Sequence, residues 1–292
     1  MNKALAEIIA GIIPHKRIRN QWRGILRYGP IKAAKLRIKM KRCTAIPKYY
    51  FAICAIAKNE GPYFKEWIEW HKKMGVDKFY IYDNESTDQT KEVLTPYIES
   101  GLVEYIYYPG SKKQLAAYDD CIEKHRLDTR WLAYIDLDEF LVPKKDKTVA
   151  LFLKRMEHFS TIEVNWLIYG SSGAKTKEPG DIMKRFYKHS KPEDKVNQYI
   201  KSIFNPKDVC CVVGCHEVAR ISGCAATPDG KKIKIHYRDR KPQQEILCIN
   251  HYAIKSYEEF LNKRARGRAR TTAIRDLDYF KRYDLNDIEE SI

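Results

Sequence analysis

YYFAICAIAKNEGPYFKEWIEWHKKMGVDKFYIYD, residues 49–83, decides the fold class. Residues 49–57 are an unbroken apolar run of strand length, the pattern of a strand covered on both faces. Gly61-Pro62 then opens a helix, because proline lacks an N–H that the first helical turn leaves unpaired anyway. Phe64, Trp67, Ile68 and Met74 follow at helical spacing, and KFYIYD (78–83) is a second apolar strand. The unit repeats outward. DQTKEVLTPYIESG (88–101) reads as a helix ended by Gly101, LVEYIYYP (102–109) as a strand, QLAAYDDCIEKHRL (114–127) as a helix. RWLAYIDLDEFLVP (130–143) reads as the strand that closes the series. Four strands alternating with helices predict a mostly parallel α/β sheet with right-handed crossovers.

In such sheets ligands bind outside the carboxyl ends of the strands. Those ends carry Lys58-Asn59-Glu60, Asp83-Asn84 and Asp136-Leu137-Asp138-Glu139. Carboxylates crowded at a strand end repel one another and lose solvation, so a positive partner is required, most simply a divalent cation. Further on, TVALFLKRM (148–156) reads as a helix and TIEVNWLIYGSSG (161–173) as a strand into a loop. KSIFNP, CCVVGCHEVARI, KKIKIHY and EILCINHYAI read as strands, and residues 256–285 as one basic helix.

The net charge is +16, and residues 1–50 supply +12 of it, with 13 Lys/Arg against Glu7. Residues 1–48 are therefore set apart as a basic arm, residues 49–275 as the main domain and 276–292 as a tail. In the arm, LAEIIAGIIP, HKRIRNQWRGILRYG and IKAAKLRIKMKR mix Ile, Leu and Trp with Lys and Arg, a composition suited to an anionic membrane surface. A solvated arm and a nucleic-acid contact are the alternatives, and no nucleic-acid-binding signature accompanies the arm. LAEIIAGIIP is too short to span a bilayer and lacks a cleavage-type site. The eight cysteines are accordingly expected to be reduced thiols of a cytoplasmic protein, and CCVVGC to be a buried strand rather than a zinc knuckle.

The ordered motifs resemble the GT-A nucleotide-sugar-dependent glycosyltransferases, and among them family 92 and related family 2-like enzymes. The matching positions are Lys58-Asn59-Glu60, then Asp83, Asn84, Ser86 and Asp88, then Asp136 and Asp138 as the DxD element. NWLIYGSSG, KSIFNP and NHYAIKSYEEFLNKRARG match downstream elements, so the resemblance covers about residues 50–270. It implies a Rossmann-like GT-A domain that moves a sugar, in inverting fashion, from a nucleotide donor, a UDP-sugar, to a saccharide or glycolipid acceptor in cell-surface polysaccharide or lipopolysaccharide synthesis. It implies Mn²⁺ or Mg²⁺ on Asp136 and Asp138, hard oxygen ligands suited to either ion, with His251 completing the metal or diphosphate site. Asp83 is placed to bond uracil or ribose; Lys58, Asn59, Glu60, Asn84 and Lys255 complete the donor set, with Lys263, Arg264 and Arg268 as further diphosphate contacts. Trp166 and Tyr169 are candidates for a sugar-stacking platform.

An inverting transfer needs a carboxylate that deprotonates the acceptor. Glu178, Asp181 and Glu217 are the candidates, with Asp181 preferred and Glu217 beside it. The chain departs from the family pattern at Ala174 and Lys184. Those departures leave a second reading, an inactive family member acting as an adaptor; a nucleic-acid binder using the arm is a third.

Overall fold

A computed structural model describes residues 3–267 and 274–290. Three helices open the chain, α1 (Lys3–Gly11), α2 (Lys16–Tyr28) and α3 (Pro30–Arg42). The expected alternation follows: β1 (Tyr49–Ala57), α4 (Gly61–Lys73), β2 (Lys78–Asp83), α5 (Thr90–Glu99), β3 (Val103–Tyr107), α6 (Gln114–His125) and β4 (Thr129–Tyr134). Then come β5 (Glu139–Pro143), α7 (Val149–Arg155), β6 (Thr161–Ile168), α8 (Ile182–Arg185), β7 (Lys188–His189), β8 (Ile200–Phe204), β9 (Val209–Val212), β10 (Val218–Arg220) and β11 (Ala225–Ala226). The chain closes with β12 (Leu247–His251), α9 (Tyr257–Ala265), α10 (Leu277–Tyr283) and β13 (Ile288–Glu289).

The main sheet runs β3-β2-β1-β4-β8-β6-β12-β5 among the described residues. β1 pairs in parallel with β2 and β4, β2 with β3, and β12 with β6. β8 is antiparallel to both β4 and β6, and β5 is antiparallel to β12. It follows that β1, β2, β3, β4, β6 and β12 aim their carboxyl ends at one rim, where β8 and β5 begin. The mostly parallel α/β architecture expected from the sequence is the one observed. Two apolar clusters cover the sheet, one led by Phe51, Phe64, Trp67, Phe79, Phe140 and Phe152, the other by Tyr80, Tyr82, Tyr118 and Tyr134.

The largest departure is at residues 130–143. They form two strands, β4 and β5, which stand four places apart in the sheet. The connection, residues 135–138, reaches at most ~17 Å when extended. Four strand spacings in a flat sheet come to ~19 Å. The sheet must therefore curl, and the break falls on the carboxylates. Trp67 Nε1 donates to both Asp136 O (3.1 Å) and Glu139 O (3.0 Å), and the Asp136 N–H donates to Glu139 Oε2 (3.0 Å). Apolar runs on both sides of the carboxylates conceal such a break because both halves are buried.

Two other expectations are corrected. KKIKIHY is irregular apart from a bridge between Lys232 and Ala226 and a 3-10 turn at Tyr237–Asp239. The basic C-terminal helix is two helices, α9 and α10; Gly267, at φ +86°, follows the first, and Arg268 lies outside the described residues. The cysteines are free thiols, with Cys210 and Cys211 buried on β9.

The arm is also more than an appendage. α2 turns a polar face inward: Arg17, Asn20 and Gly24 are buried at helical spacing. Arg17 pairs with Glu163 of β6 at 2.7 Å, both side chains nearly out of solvent. Gln21 donates to Val218 O (2.8 Å) and accepts from the Arg220 N–H (3.0 Å). A Cβ on Gly24 would fall 2.4 Å from that of Ala219, so only glycine lets the helix approach β10 this closely. The main domain thus carries a segment of the arm against it, across the boundary drawn at residue 48.

Trp67→Phe keeps the ring in the core but removes the indole donor from two buried carbonyls. Its unfolding free energy should fall by about 1–3 kcal/mol, read as a lower urea midpoint at unchanged slope. An unchanged midpoint would show that the turn is not pinned by Trp67.

Candidate active site

The strand ends and the segments beside them enclose a cavity of about 830 Å³. That volume suits a nucleotide-sugar-sized ligand. Its wall includes Lys58, Glu60, Asn84, Asp136, Asp138, His251, Lys263 and Arg266, and also Asn20, Trp166, Tyr199, His216, Glu217, Tyr237 and Arg238.

The carboxylates have found their positive partners. Lys201, fully buried on β8, bonds Asp136 Oδ2 at 2.7 Å and stands 3.2 Å from Glu139 Oε2. Burial alone would depress its pKa, but Asp136 and Glu139 drive it well above the usual lysine value. Burial pushes Glu139 up to about 7 despite that lysine. Asp138 is bonded by Lys263 of α9 and lies 3.5 Å from His251 Nε2. Burial opposes ionisation of Asp138, yet Lys263 and His251 hold its carboxyl well below the usual range. Lys263 is itself lowered to about 8, chiefly by burial.

α9 is placed by its cap. Ser256 and Glu259 form a reciprocal capping box, which satisfies first-turn N–H groups. Glu259 also takes a two-pronged contact from Arg185 (both 2.9 Å) and the Tyr63 hydroxyl (2.9 Å). The helix then delivers Lys263 to Asp138, and Arg266, just past its end, to Glu60. Arg266 also donates to the carbonyls of Lys58 (3.1 Å) and Asn59 (2.8 Å).

The expected metal trio does not assemble. Among the described residues no three His, Cys, Asp or Glu side chains converge closely enough to hold an ion. Asp138 and His251 meet, while Asp136 is drawn to Lys201 and to Tyr118 Oη (3.2 Å). The pair fits a cation's chemistry in part: one hard oxygen donor, and an imidazole whose buried Nδ1 has no hydrogen-bond partner.

Other expected donor contacts are corrected. Asp83 is buried and committed, accepting from Tyr105 Oη (2.5 Å) and the Ser86 N–H (3.0 Å). Asn59, at φ +52°, accepts from the Thr87 N–H (2.8 Å) and so locks one turn to another. Asn84 lines the cavity but spends its amide on Tyr108 O and Gly110 O. Lys255 is buried over the Tyr63 ring at 4.0 Å, away from the cavity wall. Arg264 Nε donates to Arg275 O instead of facing the cavity.

Of the candidate bases, only Glu217 lines the cavity. Asp181 precedes the short helix α8 without a side-chain capping bond, exposed and paired with Lys184 at 2.9 Å. Glu178 is exposed and bonded by Thr176. Glu217 sits in the turn between β9 and β10 and accepts from Asn20 Nδ2 at 2.7 Å, with His236 Nε2 at 3.5 Å. Burial works to raise its pKa, but His236, Asn20 and Arg17 outweigh it and hold the carboxyl below its ordinary value. Trp166 lines the cavity, stacked on Tyr199 at 5.1 Å and 4.2 Å from the His251 ring; Tyr169 is wholly buried off it. Tyr237 and Arg238 join this aromatic wall, with the Arg238 guanidinium 4.8 Å over Tyr199.

Sequence reasoning missed Lys201, Arg266, Asn20 and Tyr199. A lysine inside the apolar strand IKSIF was a visible signal for the first. The others depend on which segments meet in space.

The sequence matches the pattern of Glycosyltransferase family 92 over residues 48–289, and the chain belongs to that family. A family 92 protein of Oryza sativa subsp. japonica is 35% identical over 91 residues, covering 30% of this chain and 15% of that protein. The galactan beta-1,4-galactosyltransferase GALS3 of Arabidopsis thaliana is 25% identical over 223 residues, covering 69% of this chain and 44% of GALS3. This chain thus spans less than half the length of either relative. Among solved structures, S. aureus TarS 1-349 is similar at a TM-score of 0.38 and 15% identity, covering 54% of this chain and 47% of that one.

Glu259 has a pKa lowered from 4.5 to about 2: burial opposes ionisation, but Arg185 and Ser256 prevail. A depressed carboxyl stabilises the fold above its unfolded value and loses that contribution as pH falls through the folded one. Glu259→Gln should therefore be less stable than the parent by about 2 kcal/mol near neutrality, allowing for solvent screening at the rim. The gap should close between about pH 5 and pH 2 in paired denaturation curves. A gap independent of pH would rule out the ionic role.

Proposed function

We propose that this chain is a glycosyltransferase that moves a sugar from a nucleotide donor, a UDP-sugar, to a saccharide or lipid-linked acceptor. The observation that carries the reading is one cavity whose wall combines the Asp136–Asp138 element and cationic side chains with an aromatic surface and, beside it, the buried carboxylate of Glu217. The name of the GALS3 relative favours galactosyl transfer.

The chemistry assigns each group a task. Glu217, anionic at neutral pH, takes the proton of the acceptor hydroxyl. The acceptor oxygen attacks the anomeric carbon while the bond to the diphosphate breaks on the opposite face. Negative charge grows on the departing phosphate, and Lys263 and Arg266 are the cavity cations that meet it. Trp166, Tyr199 and Tyr237 offer ring faces for a sugar. A divalent ion held by Asp138 and His251 would add neutralisation of the same diphosphate. The adaptor reading draws no support, because neither Ala174 nor Lys184 lines the cavity.

The proposed place of work is the cytoplasmic face of an anionic membrane, in cell-surface polysaccharide or lipopolysaccharide synthesis. Leu5, Ile8 and Ile9 on α1, Ile12 just past it, Ile18 and Trp22 on α2, and Ile31 and Ile38 on α3 are exposed. No helix among the described residues is long and apolar enough to cross a membrane, so binding would be peripheral.

With UDP-galactose and short β-1,4-galactan oligosaccharides as probes, Asp138→Asn should lower UDP release by at least about a hundredfold. Full activity in that variant would remove the DxD reading. The whole chain should sediment with phosphatidylserine vesicles, weaken with added salt and keep a salt-resistant remainder from Trp22 and its apolar neighbours. Indifference to anionic vesicles at low salt would end the membrane role, and a steep salt-dependent shift on DNA in its place would favour the nucleic-acid reading.

A further inference from the structure

The family-matched region begins at residue 48, yet the cavity wall includes Asn20 and Arg23 of α2. We propose that α2 is a working part of the acceptor side of the site, with Asn20 as the positioning residue that orients and ionises Glu217. The proposal rests on the reading of Glu217 as the base.

Three observations carry it. The first is the contact: Asn20 Nδ2 lies 2.7 Å from Glu217 Oε2, and both residues are buried. A buried carboxylate must be satisfied by donors, and one that has to accept a proton needs an oxygen held toward its substrate. Asn20 supplies a neutral donor, which fixes the rotamer without adding a competing positive charge. The second is that the amide is itself fixed. Arg23 Nη1 donates to Asn20 Oδ1 at 3.0 Å, so the Nδ2 end is the one turned to Glu217, and Arg23 Nε is tied to Glu7 of α1 at 2.7 Å. The third is the anchoring of α2. Arg17 is held by Glu163, Gln21 by the backbone of Val218 and Arg220, and Gly24 lies against Ala219. These contacts grip β10, which follows Glu217 directly in sequence, and β6, which carries Trp166. A helix needed only as a membrane anchor has no use for a polar face fitted this closely.

Glu217 is faced by His236 and Tyr237, by Arg17 of α2 and by Arg220 of β10. Removing the Asn20 donor leaves these charges in place and withdraws one hydrogen bond from the ionised form. The carboxyl should then titrate higher.

The test uses the full chain and two readouts. Carboxyl carbon NMR of glutamate-labelled protein follows Glu217 directly, with its signal assigned by its loss in Glu217→Gln. Asn20→Leu, near in shape but without the amide, should raise the titration midpoint by about half a unit to one unit. Asn20→Asp brings a second carboxylate beside the first and should raise it further. It serves as the second variant if the leucine disturbs packing. The acid limb of kcat/KM with UDP-galactose and galactan oligosaccharides should move up with the NMR midpoint, with kcat falling more than KM changes. An unmoved Glu217 midpoint in both variants overturns the positioning role. A moved midpoint with an unmoved acid limb keeps the positioning and overturns Glu217 as the base, so the two failures are separable.

Discussion

Everything at the rim depends on one electrostatic constraint. Asp136, Asp138 and Glu139 stand within four residues at the point where the chain leaves β4 for β5. Asp138 and Glu139 are buried and Asp136 is half-buried, and gathering three carboxyls there is costly unless cations are brought to them. Each cation comes from a distant part of the chain: Lys201 from β8 and Lys263 from α9. The constraint therefore dictates tertiary structure. β8 must run antiparallel beside β4 so that its first turns reach the rim, and α9 must dock with its last turn over Asp138. The capping box at Ser256 and the grip of Arg185 on Glu259 fix the other end of the same helix.

This explains why the fold was legible in the sequence and the site only in part. Periodicity is local, and β1 through β4 with their helices announce themselves by it. The break between β4 and β5 was hidden because both halves are apolar and buried, so neither half alters the pattern. Asp138, His251 and Lys263 were named because motifs give residue types; the first two meet, and Lys263 turns to Asp138, a contact the motif did not indicate. Asp83 and Lys255 sit in equally recognisable motifs, yet the hydroxyl of Tyr105 claims one and the ring of Tyr63 the other. A motif gives the residue; which neighbour takes up its charge is decided by packing. The choice between Asp181 and Glu217 was of this kind, since both are acids in plausible positions and only one faces the cavity.

The arm was misjudged for a different reason. Its composition is amphipathic, and amphipathic basic helices are read as having an apolar face for contact and a polar face for solvent. In α2 the polar residues Arg17, Asn20 and Gln21 contact the protein beside the apolar Ile25 and Leu26, and Ile18 and Trp22 are left outside. The signal was present in the kind of polar residues involved. Asn20 and Gly24 lie at i and i+4, and neither serves a solvated helix face as well as lysine or glutamate would.

An inward polar face and an outward apolar one on a single helix have a mechanical consequence. Force or displacement at the outer face is transmitted to the inner one, since a helix of this length is stiff and Arg17, Gln21 and Gly24 leave little room for rotation. Ile18 and Trp22 flank Asn20 in sequence by two residues on each side, so the side chains proposed to meet a bilayer and the amide that holds Glu217 belong to one stiff segment. A free-standing anchor could bring the enzyme to its acceptor and do nothing more. On the proposed membrane reading, an anchor that is also a wall of the cavity would couple the presence of the surface to the geometry of Glu217.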